Sequence, residues 1–200
     1  MGDEMKNETA FAVESRDYSV HLLSLEDVKA IQALYDECVD YMLLVDGHPA
    51  GDHAAEEEFQ NLPPGKTLDD RFMFGIVDTV NELVGVLDVL RGYPDEGTWW
   101  ICLLLLAPDF RSQGIGGKVL QGLTEHIKAS GGKAIMLGVV EENERAYHFW
   151  FKMGFEFVRE TEPEQFGNKT QIVRVMRKNL HFIFPDRTSK PVIRDGVLPL

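Results

Sequence analysis

Long apolar runs are missing from this chain. The longest, residues 99–107, has nine members, where a membrane-spanning helix needs about 20, so no segment is expected to cross a bilayer. Cysteine is scarce too. Cys38 and Cys102 stand 64 positions apart in stretches that read as apolar core, which predicts packed thiols in a reducing compartment and no disulfide framework. Basic residues are in deficit: 20 Lys and Arg face 33 Asp and Glu, a formal net charge of -13. A surface this acidic repels a phosphate backbone along its whole outline, so nucleic acid is not an expected partner, while cationic amines are compatible with it. The opening residues, Met1-Gly2-Asp3-Glu4-Met5-Lys6, lack the basic and then apolar pattern of a secretory leader and the hydroxyl residue that acylation of Gly2 requires. Together with the free thiols, this predicts a cytoplasmic protein.

What is present suits one folded domain: 200 residues, 44% apolar and 26% charged, enough for a sizeable core. Residues 1–17 are polar and aperiodic and read as a frayed N-terminal arm or a short leading strand. Tyr18, Val20 and Leu22 alternate with Ser19 and His21, the pattern of a half-buried strand. Ser24, ahead of Glu26 and Asp27, opens a helix in which Val28, Ile31, Leu34, Tyr35 and Cys38 recur at helical spacing; it is expected to run to about Leu44. Residues 54–59 give a shorter helical stretch, and Leu62-Pro63-Pro64-Gly65 a break.

From Arg71 the period becomes that of a sheet. Residues 71–78 and 83–90 form a hairpin about Asn81-Glu82, and residues 98–106 are apolar on both faces, as in a strand covered on both sides. A long helix follows, with Ile115, Val119, Leu120, Leu123 and Ile127 on one face, stopped by Gly131-Gly132. Next come a buried strand at 134–140 and a helix carrying Ala146, Phe149, Trp150 and Met153 on one face and ending at Gly154. Strands at 155–159 and 172–177 flank a polar loop, 160–170. The order β, α, α, β, β, β, α, β, α, β, β predicts a mixed α/β sheet that is not doubly wound. The domain is assigned to residues 18–180. Residues 181–200 form a tail whose Phe182, Ile183, Phe184, Val192, Ile193, Val197 and Leu198 are expected to pack on the domain or on a second subunit, as in a homodimer.

The chemistry is concentrated where the strand at 98–106 gives way to the long helix, in Arg111-Ser112-Gln113-Gly114-Ile115-Gly116-Gly117. Gly114, Gly116 and Gly117 allow a sharp turn with its N–H groups outward, and the helix adds its unpaired donors and positive dipole end at the same place. That is an anion cradle, with Arg111 as a bidentate phosphate partner at its rim. Two nucleotide motifs fail here. A Walker loop would need glycine at Ser112 and a hydroxyl at Val119, and a dinucleotide fingerprint needs its third glycine at Val119.

What remains is Arg111-x-x-Gly114-x-Gly116 after a buried strand, and with it the chain resembles the GNAT superfamily of N-acetyltransferases, where this loop grips the pyrophosphate of acetyl-CoA. Asn143-x-x-Ala146-x-x-x-Trp150-x-x-x-Gly154-Phe155 matches the family's downstream series, as does the strand ending in Leu103-Leu104-Leu105-Leu106 before Pro108. These motifs span roughly residues 99–157 and the element order about 18–178.

The resemblance implies an acyl-CoA N-acyltransferase fold, a mostly antiparallel sheet of about seven strands splayed at strands 4 and 5. Acetyl-CoA is then the co-substrate and a primary amine, in a small molecule or a peptide, the acceptor. The coenzyme would be held by Leu104, Leu105 and Leu106, by Arg111, Ser112, Gln113, Gly114, Ile115, Gly116 and Gly117, and by Asn143. The main chain of Leu104 and Leu106 would grip the pantetheine arm and polarise the thioester. The family's usual acid, a tyrosine, is replaced by Trp150, whose indole cannot give up a proton at neutral pH. Tyr147 is a candidate substitute, or a core anchor. Asp88, Glu96 and Glu141 are candidate bases, each alternatively a solvated or capping carboxylate. A non-catalytic acyl-CoA-binding module is the other reading of the same loop. Asp46, His48, Asp52 and His53 lack the spacing of a zinc site and read as a polar loop, so no metal is expected.

Overall fold

The computed structural model describes residues 10–180. Helix formation begins where the side chains supply missing partners. Ser24 Oγ accepts from the Glu26 amide at 3.2 Å and the Asp27 carboxylate accepts from the Ser24 amide at 2.8 Å, the reciprocal capping expected of this sequence. The expected single helix is in fact two, α1 (Val28–Glu37) and α2 (Val39–Val45). The break is at Cys38, whose amide closes α1 on the carbonyls of Leu34 and Tyr35. Its Sγ then donates to the Leu106 carbonyl at 3.5 Å, a tertiary contact with no glycine or proline to announce it. α3 (Ala54–Gln60) completes this layer.

Strands β1 (Tyr18–Leu22), β2 (Arg71–Asp78), β3 (Leu83–Arg91), β4 (Thr98–Leu106), β5 (Ala134–Val140), β6 (Glu156–Glu160) and β9 (Val173–Asn179) form one sheet in the order β1-β2-β3-β4-β5-β9-β6. Every adjacent pair is antiparallel except β4 and β5. The β2–β3 turn has Asn81 at φ 67, with the Asp78 carboxylate accepting from the amides of Val80 and Glu82 at 2.9 Å each. α4 (Ile115–Ala129) and α5 (Glu144–Lys152) cover one face. There Val119, Leu120, Leu123 and Ile127 pack on Ile76, Leu87, Trp99, Ile135 and Met176. On the other face Ile31, Leu34, Met42 and Ala55 pack on Met73, Val86 and Leu105. Each fully buried Leu, Ile, Val or Met on these faces contributes roughly 1.5–3 kcal/mol.

Three further expectations change. The supposed arm is packed from Ala10 onward: the Ala10 amide donates to the Val20 carbonyl at 2.8 Å, and buried Phe11 meets Phe74 edge-on at 5.1 Å. It crosses α4 at Gly122, where a Cβ would lie 2.4 Å from the Ala12 carbonyl. The polar loop at 160–170 contains a hairpin of β7 (Glu164–Phe166) and β8 (Lys169–Gln171). The hairpin satisfies carbonyls left open at the C-terminus of α2: the Asn168 amide donates to Asp46 O at 2.7 Å, Gln171 Nε2 to Leu44 O and Val45 O at 2.9 and 3.0 Å, and Lys169 Nζ to Leu44 O at 3.0 Å. Finally, β4 is covered on both faces only in its first half. Leu103, Leu104 and Leu106 are half-buried and Cys102 is exposed, which corrects its reading as a packed thiol. The tail 181–200, with the docking role assigned to its apolar residues, lies outside the described residues.

Candidate functional site

The site begins where two strands part. β4 and β5 pair in parallel from Thr98↔Ala134 to Ile101↔Leu137 and then separate. At the parting β4 carries a bulge: Leu103 faces Asp88 and Ile101 faces Val89, which leaves Cys102 without a partner on β3. Beyond it the ladder alternates. The Ala107 amide donates to Val84 O at 2.9 Å, so Leu103 and Leu105 also turn their peptide groups toward β3, while those of Leu104 and Leu106 aim into the gap. Leu105 therefore offers the gap no main-chain group, and its side chain is buried against α1 and α2. The Leu106 carbonyl accepts from Arg111 Nε at 2.8 Å. Leu104 keeps both N–H and C=O for a ligand, and Leu106 its N–H.

At the open end stands the glycine loop. Ser112 and Gly114 lie in the left-handed region, at φ 62 and 81, and the first amide used by α4 is that of Lys118, which donates to Gly114 O at 3.2 Å. Among the described residues the amides of residues 112–117 have no acceptor, and they surround the positive end of a 15-residue helix. Gly116 is buried, and a Cβ on it would stand 3.4 Å from Phe149 Cζ and 3.7 Å from Leu104 Cδ2. Ile115 is packed in the core, and Gln113 turns its side chain back to the Asp109 carbonyl at 2.6 Å.

Arg111 is engaged within the protein. Its guanidinium forks onto the Asp40 carboxylate, with Nη2 to Oδ1 at 3.1 Å and a shorter contact from Nη1 to Oδ2. That hydrogen bond holds the Asp40 carboxyl below its ordinary range, while burial pushes the neighbouring Cys38 thiol up. The phosphate role expected of Arg111 thus competes with a latch between α2 and the end of β4. Arg145, which the sequence reading passed over, is better placed beside the loop: its Nη2 donates to Ser112 Oγ at 2.9 Å. Asn143 caps α5 through Oδ1, accepting from the Ala146 amide at 3.0 Å, so its side-chain NH2 remains for a ligand.

The candidate catalytic residues do not converge. Tyr147 lies under the Arg174 guanidinium, 5.0 Å from ring centre, and Glu141 contacts the same arginine at 3.4 Å. Glu96 is exposed in the turn before β4. None of the three lines the cleft. Trp150 does, buried and edge-on to Phe149 at 4.9 Å and Phe155 at 5.2 Å. Asp88 is at the bulge but is neither solvated nor capping. It is 0% exposed and takes Arg71 Nε on Oδ1 at 3.0 Å and Nη2 on Oδ2 at 2.6 Å. Nη2 also meets Glu58 Oε1 at 2.6 Å. Burial pushes the Asp88 carboxyl up against the pull of Arg71. Although the Cys102 residue reaches solvent, enclosure of its thiol at the bulge together with the nearby Asp88 carboxylate drives that thiol far above its ordinary range. It opens on the cleft as a neutral S–H. Arg71 and Glu58 left no local signal, being brought to Asp88 only by the tertiary fold.

Together these elements enclose a cleft of about 1180 Å³, larger than the ~300–1,000 Å³ usual for one small ligand. It runs from the glycine loop, between β4 and β5, to α2 and the β7–β8 hairpin, with Tyr41 facing it from α2. His48 Nδ1 is 2.7 Å from its neighbour Pro49's carbonyl and His53 is 3.8 Å from Glu56. Among the described residues no three His, Cys, Asp or Glu side chains gather to hold a metal ion, and no helix is long and apolar enough to cross a membrane.

Comparison with known proteins follows the same line. The family model described as Acetyltransferase (GNAT) family matches residues 28–155. A protein of Bacillus subtilis (strain 168), described as the uncharacterized N-acetyltransferase YobR, is 27% identical over 124 residues, 61% of this chain and 46% of that protein. The chain thus spans about half the length of the curated relative it matches. A solved acetyltransferase from Thermus thermophilus superposes with a TM-score of 0.65 at 21% identity, covering 82% of this chain and 97% of that one. A spermidine N-acetyltransferase from Vibrio cholerae, in complex with CoA and spermine, gives a TM-score of 0.65 at 16% identity, covering 83% and 97%. At these identities the two structures speak for the fold alone. With the family model covering most of the chain, and strand order, parted strands and glycine loop in agreement, this chain belongs to the GNAT family of acetyltransferases.

Proposed function

We propose that the chain transfers the acetyl group of acetyl-CoA to a primary amine by direct attack. One observation carries the reading: the unused amides of residues 112–117 and the free main-chain groups of Leu104 and Leu106 open onto one cleft. Acetyl-CoA supplies an acyl group already activated as a thioester. The loop amides and the end of α4 would hold its diphosphate, with Arg145 adding positive charge. Leu104 would pair with the amide-bearing arm as an added strand pairs with an edge, and the Leu106 N–H would remain for a carbonyl. Asn143 would contribute its free NH2. Asp88 and Glu58 surround Arg71 with a net negative charge behind the bulge, which favours a cationic amine there. Asp88 is tied down by Arg71, so the amine's proton passes to water in the open cleft; as the C–N bond forms and the C–S bond breaks, the CoA thiolate leaves and takes its proton from water.

A second reading, an acyl-CoA-binding module without catalysis, is favoured by Trp150 in the cleft and by Tyr147 turned away to Arg174. Free thiol released from acetyl-CoA across an amine panel separates the two. Release with at least one amine supports transfer; saturable coenzyme binding without release supports the module. Gly116→Val should abolish coenzyme binding in either case, because its Cβ already meets Phe149 and Leu104 at contact distance. Undiminished affinity in that variant would remove the diphosphate from this loop.

A further inference from the structure

Past the bulge the cleft continues along the face of β5, β9 and β6 opposite α4 and α5. Gly138 and Arg159 are both register partners of Val175. Partners across a ladder share a face, so the three form one row, and all three line the cleft. Trp100, edge-on to Tyr93 at 5.7 Å, adds an aromatic floor beside them. The missing side chain of Gly138 keeps that floor open, since a Cβ there would stand 2.7 Å from Val173 Cγ1 and 3.7 Å from Trp100 Cζ2.

At the far end of this floor an acidic chain places an arginine that no carboxylate among the described residues neutralises. Arg159 is exposed on β6, and among the described residues it has no carboxylate partner; its Nη1 reaches only the Glu160 carbonyl, at 3.3 Å. Its neighbour Arg174, on the opposite face, holds Glu141, Glu144 and Glu160. Of the other carboxylates at this end, Glu142 is tied to Lys169, while Glu162 and, on β7, Glu164 stand exposed.

We infer that the acceptor is an amine joined through an apolar body to an anionic group, with Arg159 receiving the anion; this rests on the transferase reading above. β6 is two paired strands from β5 in the order β4-β5-β9-β6, about 10 Å at the usual strand spacing of ~4.8 Å, and the parting of β4 from β5 takes the span from β4 to about 14 Å or more. The length of the arginine shortens this, leaving amine and anion on the order of 10 Å apart. The apolar floor takes the stretch between them. A second ammonium at that distance would meet a guanidinium, so polyamines are poor acceptors.

The test uses three acceptors of one length: 8-aminooctanoate, octylamine and 1,8-diaminooctane, ending in carboxylate, methyl and ammonium. Thiol release from acetyl-CoA should give 8-aminooctanoate a KM roughly tenfold or more below that of octylamine, with diaminooctane the poorest. Arg159→Ala should erase the gap between the first two. A preference for diaminooctane, above all one that Glu164→Gln removes, would overturn the inference and leave the transferase reading intact. If no amine releases thiol, the transferase reading falls, and titration of 8-aminooctanoate into the CoA-bound protein decides the inference separately. Binding weakened by Arg159→Ala supports it; absence of binding overturns it.

Discussion

Arg71 and Asp88 are separated by 17 positions yet form a bidentate pair with side-chain exposures of 3% and 0%. Such a pair stabilises little over a well-packed apolar substitute, but removing one partner strands the other charge. Asp88→Ala should lower unfolding free energy by about 3 kcal/mol, read by chemical denaturation. The double change Arg71→Met with Asp88→Leu should cost less than either single change. Equal or additive losses would mean that packing, not charge pairing, holds these residues. The Asp40 latch is the exposed counterpart. Arg111 depresses the Asp40 carboxyl, so its stabilisation is complete above the unfolded value of about 4 and disappears as pH falls through the lower folded value. With the Asp40 side chain 63% exposed, the pair contributes no more than ~1 kcal/mol. The Tm difference between wild type and Asp40→Asn should therefore hold steady from pH 7 to about 4 and close below it.

At the scale of elements, what could be read in the sequence was local. The glycine loop, the helix after it and the apolar strand before it are contiguous, and the periodicity of residues 115–127 defines α4 to within a residue or two. The break at Cys38 was not legible, because a carbonyl 68 positions away fixes it. Neither was the β7–β8 hairpin, whose anchors on α2 are 125 to 127 positions distant. The same reason hid Arg145 as a neighbour of Ser112 and left Tyr147, Glu96 and Glu141 as candidates on residue type and place along the chain alone. The packed arm offers a test of element packing. Gly122→Ala would gain about 1 kcal/mol of helix propensity but would drive a methyl against the Ala12 carbonyl. The net result should be a loss of about 1–2 kcal/mol, with faster amide exchange at Ala10. A stabilised protein with unchanged exchange would show that the arm does not rest on α4.

Over the whole molecule, the sheet is continuous except where β4 and β5 part, and the features assigned to coenzyme binding gather at that parting. An acidic chain, at -13, presents bare amides and Arg145 at one end of the cleft and Arg159, without a carboxylate partner among the described residues, at the other. The most direct measurement is backbone amide exchange across the chain with and without CoA. Slowed exchange at residues 112–117 and at Leu104 and Leu106, with β1 and β2 unaffected, is the predicted result. Saturable CoA binding that leaves those amides exchanging as before would contradict the account.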